Sequence, residues 1–306
     1  MIEVYRKIIK QPYLKRLRNI EKGTWVNVVN PSEKEIKNII YNTNIERQFI
    51  YDALDPYEVP RIEKENDITY IIVRVPQKIK KELIALPFLI VLTPEHIITI
   101  SREKLEILSD FLSENIEFYT SQKAKMLIQL FLKISQSYEK YVKNIARSVQ
   151  GKKINLKKLD DKDILNLVEW EEILNNFISS LVSNISVSEK ILQGKFIPLY
   201  KEDEELIEDL VITSRQTLEL SKTTIKNISN AREAYTTILS NSLNKIIKFL
   251  TSITIIITIP TIIASIYGMN IRLPLENNPY AFTYVNTLTL ILMVILIWIF
   301  YKKKWL

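Results

Sequence analysis

The sequence predicts an α/β domain followed by a long helix and two membrane-spanning helices. Three observations carry that prediction. Two apolar runs free of charge lie in the last fifth of the chain, strand-forming runs are confined to the first hundred residues, and no proline or glycine interrupts the stretch between Pro198 and Pro260.

No charged residue occurs between Lys248 and Arg272. As helix, that run is roughly 35 Å long and matches a hydrocarbon core of ~30 Å. Its end is marked by Tyr267-Gly268-Met269-Asn270, and a second charge-free run extends from Asn277 through Tyr301. The expected bounds are 249–267 for the first span, 268–281 for an outer loop, 282–301 for the second span and 302–306 for a basic tail. The first sixty residues hold no apolar stretch of signal-peptide type, so the bulk of the chain is expected to stay on the side where it is made. Lys245 and Lys248 precede the first span, Lys302, Lys303 and Lys304 follow the second, and the loop between carries Arg272 alone among basic residues. An excess of positive charge marks the cytoplasmic side, so both termini are expected in the cytoplasm, and a multi-pass protein of the plasma membrane is expected.

The remaining composition suits a folded cytoplasmic part: 25% charged residues, 47% hydrophobic, four glycines and no cysteine. There is no disulfide framework and no thiolate metal site, and no organic cofactor is expected. The formal net charge of +7 is scattered or sits beside the spans, where it meets lipid headgroups. With no recognition motif, nucleic acid is not an expected partner.

Within residues 1–200, Thr24–Val29 is rich in β-formers, and Asn30-Pro31-Ser32-Glu33 reads as an N-cap with proline at the first position of a helix running to about Asn42. Asp67–Pro76, Leu86–Leu92 and His96–Ser101 read as the strands of a central sheet. Helical periodicity takes over from about Lys125 to Leu192, with Gly151–Asp163 as a turn between two helices. From about Asp203 to Tyr267 one continuous helix is expected, roughly 95 Å long, whose part within 201–248 forms a cytoplasmic stalk. Such a helix must pack along its length, most simply against copies of itself.

Along the first span, Thr251, Thr254, Thr258, Thr261 and Ser265 are spaced three and four apart, and the same register picks up Ile247 and Asn244 further in. These positions share an arc of roughly 100°. Serine and threonine in membrane helices also bond their own backbone or let helices approach closely. The run as a whole reads as a water-facing pore wall. Two spans per chain cannot enclose a conduit, so this reading requires a homo-oligomer. At the outer end, Gly268 can adopt the left-handed conformation that stops a helix, and the helix carbonyls favour a cation there. Asn270 adds a neutral amide oxygen. A ring of such oxygens would hold a cation through its water shell, which suits magnesium, an ion that dehydrates reluctantly.

On Tyr267-Gly268-Met269-Asn270 between two C-terminal spans and the tail Lys302-Lys303-Lys304-Trp305-Leu306, the chain resembles the CorA family of divalent-cation transport proteins over essentially its full length. The resemblance implies a funnel-shaped homopentamer with an α/β cytoplasmic domain, and transport of magnesium, with cobalt and nickel as further ions. It implies a selectivity filter at Tyr267–Asn270, with Asn270 as the filter asparagine. It further implies a pore-lining asparagine at Asn244, bulky narrowing positions at Ile247 and Leu250, and an inner acidic position at Glu233. Two departures stand out: Arg272 replaces an acid of the outer loop while Glu276 keeps the other, and Thr258 occupies a place that can hold a hydrophobic gate.

The acidic segment Glu202-Asp203-Glu204-Glu205, followed by Glu208 and Asp209, suits a solvated helix N-terminus. The resemblance implies instead that carboxylates bind regulatory cytoplasmic magnesium between subunits, with Asp209 as the best match and Glu205 and Glu208 beside it. Catalysis is not expected. The sole histidine, His96, opens a strand, and no nucleophile or phosphate-loop motif occurs. Zinc transport by a relative of the same superfamily is the alternative cargo, lowered by the lack of cysteine and the single histidine. A membrane-anchored helical scaffold without transport is the alternative of another class.

Overall fold

The structure is a computed structural model that describes residues 1–306 apart from Lys81, residues 155–159, Arg272, Glu276 and Asn277. The chain forms two compact units, Met1–Asn230 and Ala231–Leu306.

The first unit is built on a sheet of seven strands among the described residues: β1 (Ile2–Ile8), β2 (Gln11–Leu17), β3 (Trp25–Val29), β4 (Arg61–Glu65), β5 (Ile68–Ile79), β6 (Glu82–Leu92) and β7 (Ile97–Ser101). Their spatial order is β2-β1-β3-β7-β6-β5-β4. Every neighbouring pair is antiparallel except β3 and β7, which run parallel with Val26 opposite Ile98. A parallel pair needs a crossover, and the connection from β3 to β7 contains α1 (Glu33–Thr43), α2 (Arg47–Leu54) and the β4-β5-β6 meander.

Ile68, Tyr70 and Ile72 of β5 share one core cluster with Ile36 and Ile39 of α1, Phe49 and Ile50 of α2, and Leu89 and Val91 of β6. The alternate residues Ile71 and Val73 are equally buried, because β5 also contacts α4 (Lys123–Ile154) and α5 (Asp161–Leu192). A strand covered on both faces needs apolar residues at consecutive positions, and the run Ile-Thr-Tyr-Ile-Ile-Val supplies them. Asn184 of α5 locks the layers together. It accepts from Arg74 N at 3.0 Å and donates to Arg74 O at 2.8 Å, while the Tyr138 hydroxyl of α4 donates to the same carbonyl at 3.0 Å.

Several elements depart from the sequence reading. The N-cap of α1 is Ser32, not Asn30: Ser32 and Glu35 form a reciprocal capping box, which leaves Pro31 outside the helix. Strands β1, β2 and β4 were not predicted. The expected turn at Gly151–Asp163 is shorter, since α4 continues to Ile154 and Asp160 caps α5 through a second capping box with Asp163; the rest of it lies outside the described residues.

The long helix α6 spans Lys201–Tyr267, and Pro260 lies inside it. In the first unit its buried face includes Ile207, Leu210, Ser214, Thr217, Ser221, Thr224 and Ile228. The Ser214 hydroxyl lies 3.0 Å from that of Ser135 on α4. The second unit comprises the remainder of α6, a connecting loop and α7 (Ala281–Lys302). Here Leu288, Leu290, Ile291, Val294 and Ile297 are all exposed. Helices so apolar and so little covered require a hydrocarbon surrounding or other helices.

Candidate ion pathway

On α6 the residues Asn244, Ile247, Thr251, Thr254, Thr258, Thr261 and Ser265 are all exposed, with Leu250 at their flank. The buried residues of this segment, Ser252 and Ile256, lie on the roughly opposite side of the helix. The hydroxyl stripe is therefore a free face of the chain. Thr254 donates to Leu250 O at 2.9 Å, Thr258 to Thr254 O at 2.7 Å and Thr261 to Ile257 O at 3.1 Å. Each hydroxyl proton is thus committed to the carbonyl one turn back, which leaves oxygen lone pairs turned outward. A wall of acceptors suits a cation or the hydrogens of its water shell. Glu233 is also exposed, and its carbonyl accepts from the hydroxyls of Thr236 and Thr237.

Gly268 does not take the left-handed conformation expected of it; the glycines with positive φ are Gly23 and Gly194. Its amide instead prolongs the helical bonding by donating to Ala264 O at 2.9 Å, and Met269 N donates to Ile266 O at 3.2 Å. A Cβ at Gly268 would lie 3.3 Å from Ala264 O, tighter than an ordinary contact. The glycine thus serves close approach to the helix end rather than reversal of the chain. Tyr267, Met269 and Asn270 are exposed, and the Asn270 carboxamide makes no hydrogen bond to a described residue. Glu276 and Arg272 lie outside the described residues.

The acidic segment divides. Glu205, Glu208 and Asp209 are exposed, whereas Asp203, expected on a solvated face, is buried. Its carboxylate accepts from Tyr200 N at 3.3 Å and so satisfies an amide at the start of α6. Among the described residues, no three His, Cys, Asp or Glu side chains converge as a metal site. His96 is buried beside Thr24, with Nδ1 and the Thr24 hydroxyl 3.1 Å apart, and burial pushes its pKa down, so the ring is neutral at pH 7.

A sheet-based domain, a helix passing from it into an apolar segment, and a second apolar helix after a short loop define a membrane protein. Comparison with known proteins specifies which kind. The sequence model described as CorA-like Mg2+ transporter protein matches residues 21–303, and the chain belongs to that family of divalent-cation transporters. Its members move ions and are not enzymes. The chain is 25% identical over 293 residues to the cobalt/magnesium transport protein CorA of Methanocaldococcus jannaschii, covering 92% of this chain and 90% of the relative. The complete structure of the CorA magnesium transporter from that organism superposes with a TM-score of 0.87 at 23% identity, covering 100% of this chain and 99% of the other. The full-length CmaX protein superposes at 0.77 with 13% identity, covering 98% and 96%. The ZntB cytoplasmic domain from Vibrio parahaemolyticus superposes at 0.65 with 10% identity, covering 78% of this chain and 98% of the domain.

Proposed function

We propose that the protein is a magnesium channel of the plasma membrane, with cobalt and nickel as further ions, assembled as a funnel-shaped homopentamer with both termini in the cytoplasm. The observation that carries this reading is the free hydroxyl face of α6, opposite the buried Ser252 and Ile256 and ending at the exposed Asn270. Copies of that face around an axis enclose a wet conduit of neutral oxygens. Asn270 amides at its outer mouth, in the filter segment Tyr267–Asn270, meet the ion with its water shell intact, and Glu276 draws cations from the outer loop. Ile247 and Leu250 narrow the inner part, where an apolar constriction gates by dewetting, and Asn244 and Glu233 continue the path inward. Residues 201–248 form the stalk, with 249–267 and 282–301 as the spans.

The exposed carboxylates of Asp209, Glu205 and Glu208 support closure by cytoplasmic magnesium. Like charges brought together at a subunit interface repel unless a divalent ion bridges them. The relative named for cobalt and magnesium transport supports this cargo. Zinc, carried by a relative of the same superfamily, is the second reading, opposed by the absence of cysteine and the burial of the single histidine.

Metal uptake into proteoliposomes by the wild type and by Asn270→Ala tests the proposal. Magnesium flux in the wild type that is lost in the variant is expected. Zinc flux coupled to a proton gradient would assign the cargo to the second reading, and no flux in either protein would leave a membrane-anchored scaffold.

A further inference from the structure

The five residues after Tyr301 are Lys302-Lys303-Lys304-Trp305-Leu306, and the tail they form is folded. Trp305 N donates to Phe300 O at 2.9 Å and Lys304 N to Tyr301 O at 3.1 Å. With Lys304 at φ 54°, this is a Schellman closure of α7. It brings the Trp305 ring onto Phe300, with centroids 5.6 Å apart and planes 8° from parallel. The left-handed position of such a closure normally belongs to glycine, which adopts it without steric cost. A lysine held there places a side chain, and with it a positive charge, at a position where the backbone favours a residue without a Cβ.

That charge meets no acidic side chain among the described residues of this part of the chain. After Glu233, Glu276 is the only acidic side chain, against five lysines at 245, 248, 302, 303 and 304. None of the three tail lysines forms an ion pair with a described residue, and Lys302 Nζ stands 5.3 Å from the Trp298 ring centroid.

The depth of the tail follows from the aromatic residues of α7. They occupy its two ends, Phe282 and Tyr284 at one and Trp298, Phe300 and Tyr301 at the other, with none from Val285 to Ile297. From Phe282 to Tyr301 the helix rises roughly 28 Å, the separation of the two aromatic belts of a ~30 Å core. The lysines then lie in the headgroup layer, with Trp305 at its apolar edge.

We propose that this tail is a binding site for the phosphate headgroups of anionic phospholipid, with the three ammonium groups meeting the phosphate and the stacked Trp305 lying against the acyl chains. The inference rests on α7 as a membrane span, and not on which ion the protein carries. Each lysine near an anionic surface adds roughly a fivefold preference over a zwitterionic one.

The test uses the full-length protein in phosphatidylcholine vesicles that contain brominated phosphatidylglycerol or, at equal mole fraction, brominated phosphatidylcholine. Trp305 emission is isolated as the difference between the wild type and Trp305→Phe. The anionic lipid should quench it at least about twofold more strongly. That ratio should fall to unity when Lys302, Lys303 and Lys304 are all replaced by Gln, and persist when all three are replaced by Arg. Equal quenching by the two lipids in the wild type, or an unchanged ratio in the Gln variant, overturns the proposal. So does a ratio abolished by inorganic phosphate but not by chloride of equal ionic strength, which would assign the site to a free anion. Cation uptake by the same vesicles is read separately. A lipid preference without flux removes the transport reading alone, and flux without lipid preference removes this one alone.

Discussion

Helix α6 carries two runs of hydroxyl residues with the same spacing and opposite surroundings. Ser214, Thr217, Ser221 and Thr224 are buried in the first unit, each 6% exposed or less, while Thr251, Thr254, Thr258, Thr261 and Ser265 stand exposed in the second. Most bond alike. Ser221 donates to Thr217 O at 2.8 Å and Thr224 to Leu220 O at 2.7 Å, just as Thr258 donates to Thr254 O at 2.7 Å. A hydroxyl whose proton is satisfied by its own helix can face another helix or water at little cost. Side-chain chemistry therefore leaves the role of such a stripe open, and what stands opposite decides it. In the first unit, small residues let α4 come close enough for Ser135 to meet Ser214; in the second, the stripe is left for solvent or for copies of the chain.

Four substitutions sharpen or break that contrast. Thr258→Leu puts an apolar ring into the proposed pore wall and is expected to lower magnesium flux by about tenfold or more through dewetting, with no fall in the unfolding temperature of the first unit. An equal loss of stability at Thr258 would show it to be a packing residue like its buried counterparts. Ser221→Leu should behave in the opposite way. Overpacking at this fully buried site costs about 1–3 kcal/mol, which thermal or urea unfolding followed by circular dichroism will register. Asp209→Ala, on the exposed side of the buried half of α6, is expected to raise the internal magnesium needed for half-closure by about threefold, and an unmoved inhibition curve in a flux assay counts against a metal role.

The smallest effect concerns pH. Lys7 Nζ, on a side chain 7% exposed, donates to Glu114 at 2.8 Å and, with a hydrogen bond from the Leu14 backbone, holds the Glu114 carboxyl below its ordinary value of 4.5. A depressed carboxylate stabilises the fold above its unfolded pKa, and that contribution is lost as pH falls through the folded value. The first unit should thus soften below about pH 4.5, and Glu114→Gln should flatten the dependence while costing about 1–2 kcal/mol at neutral pH through the unpaired ammonium. No carboxylate, imidazole or amine lies among the stripe residues from Asn244 to Ser265, so the pore wall itself should not titrate over the same range.

What could be read in advance follows from how strongly each element is signed. Helix α6 announced itself by the absence of proline and glycine, the apolar runs by their lack of charge, and β5, β6 and β7 by Ile, Val, Phe and Tyr at consecutive positions. Strands β1, β2 and β4 escaped because Lys, Arg and Glu interrupt them. In β2 and β4 those charges occupy the two edges of the sheet, where they discourage pairing with other chains and mask the strand pattern. The Ser32 cap was hidden by the competing asparagine and proline just before it. At the candidate site, the pattern of hydroxyls and Asn270 was plain, but the conformation of Gly268 and the burial of Asp203 were not, since both depend on which atoms end up adjacent.

Sequence by itself determined the local quantities: helix length, the width of an uncharged run and the face on which a three-and-four spacing collects. These depend on backbone geometry and transfer free energies, which each residue carries with it. Tertiary structure alone decided that β3 pairs with β7 across the intervening residues 30–96, and that one hydroxyl stripe is covered while the other is free. Burial belongs to pairs of surfaces, and only the folded chain brings the second surface into place.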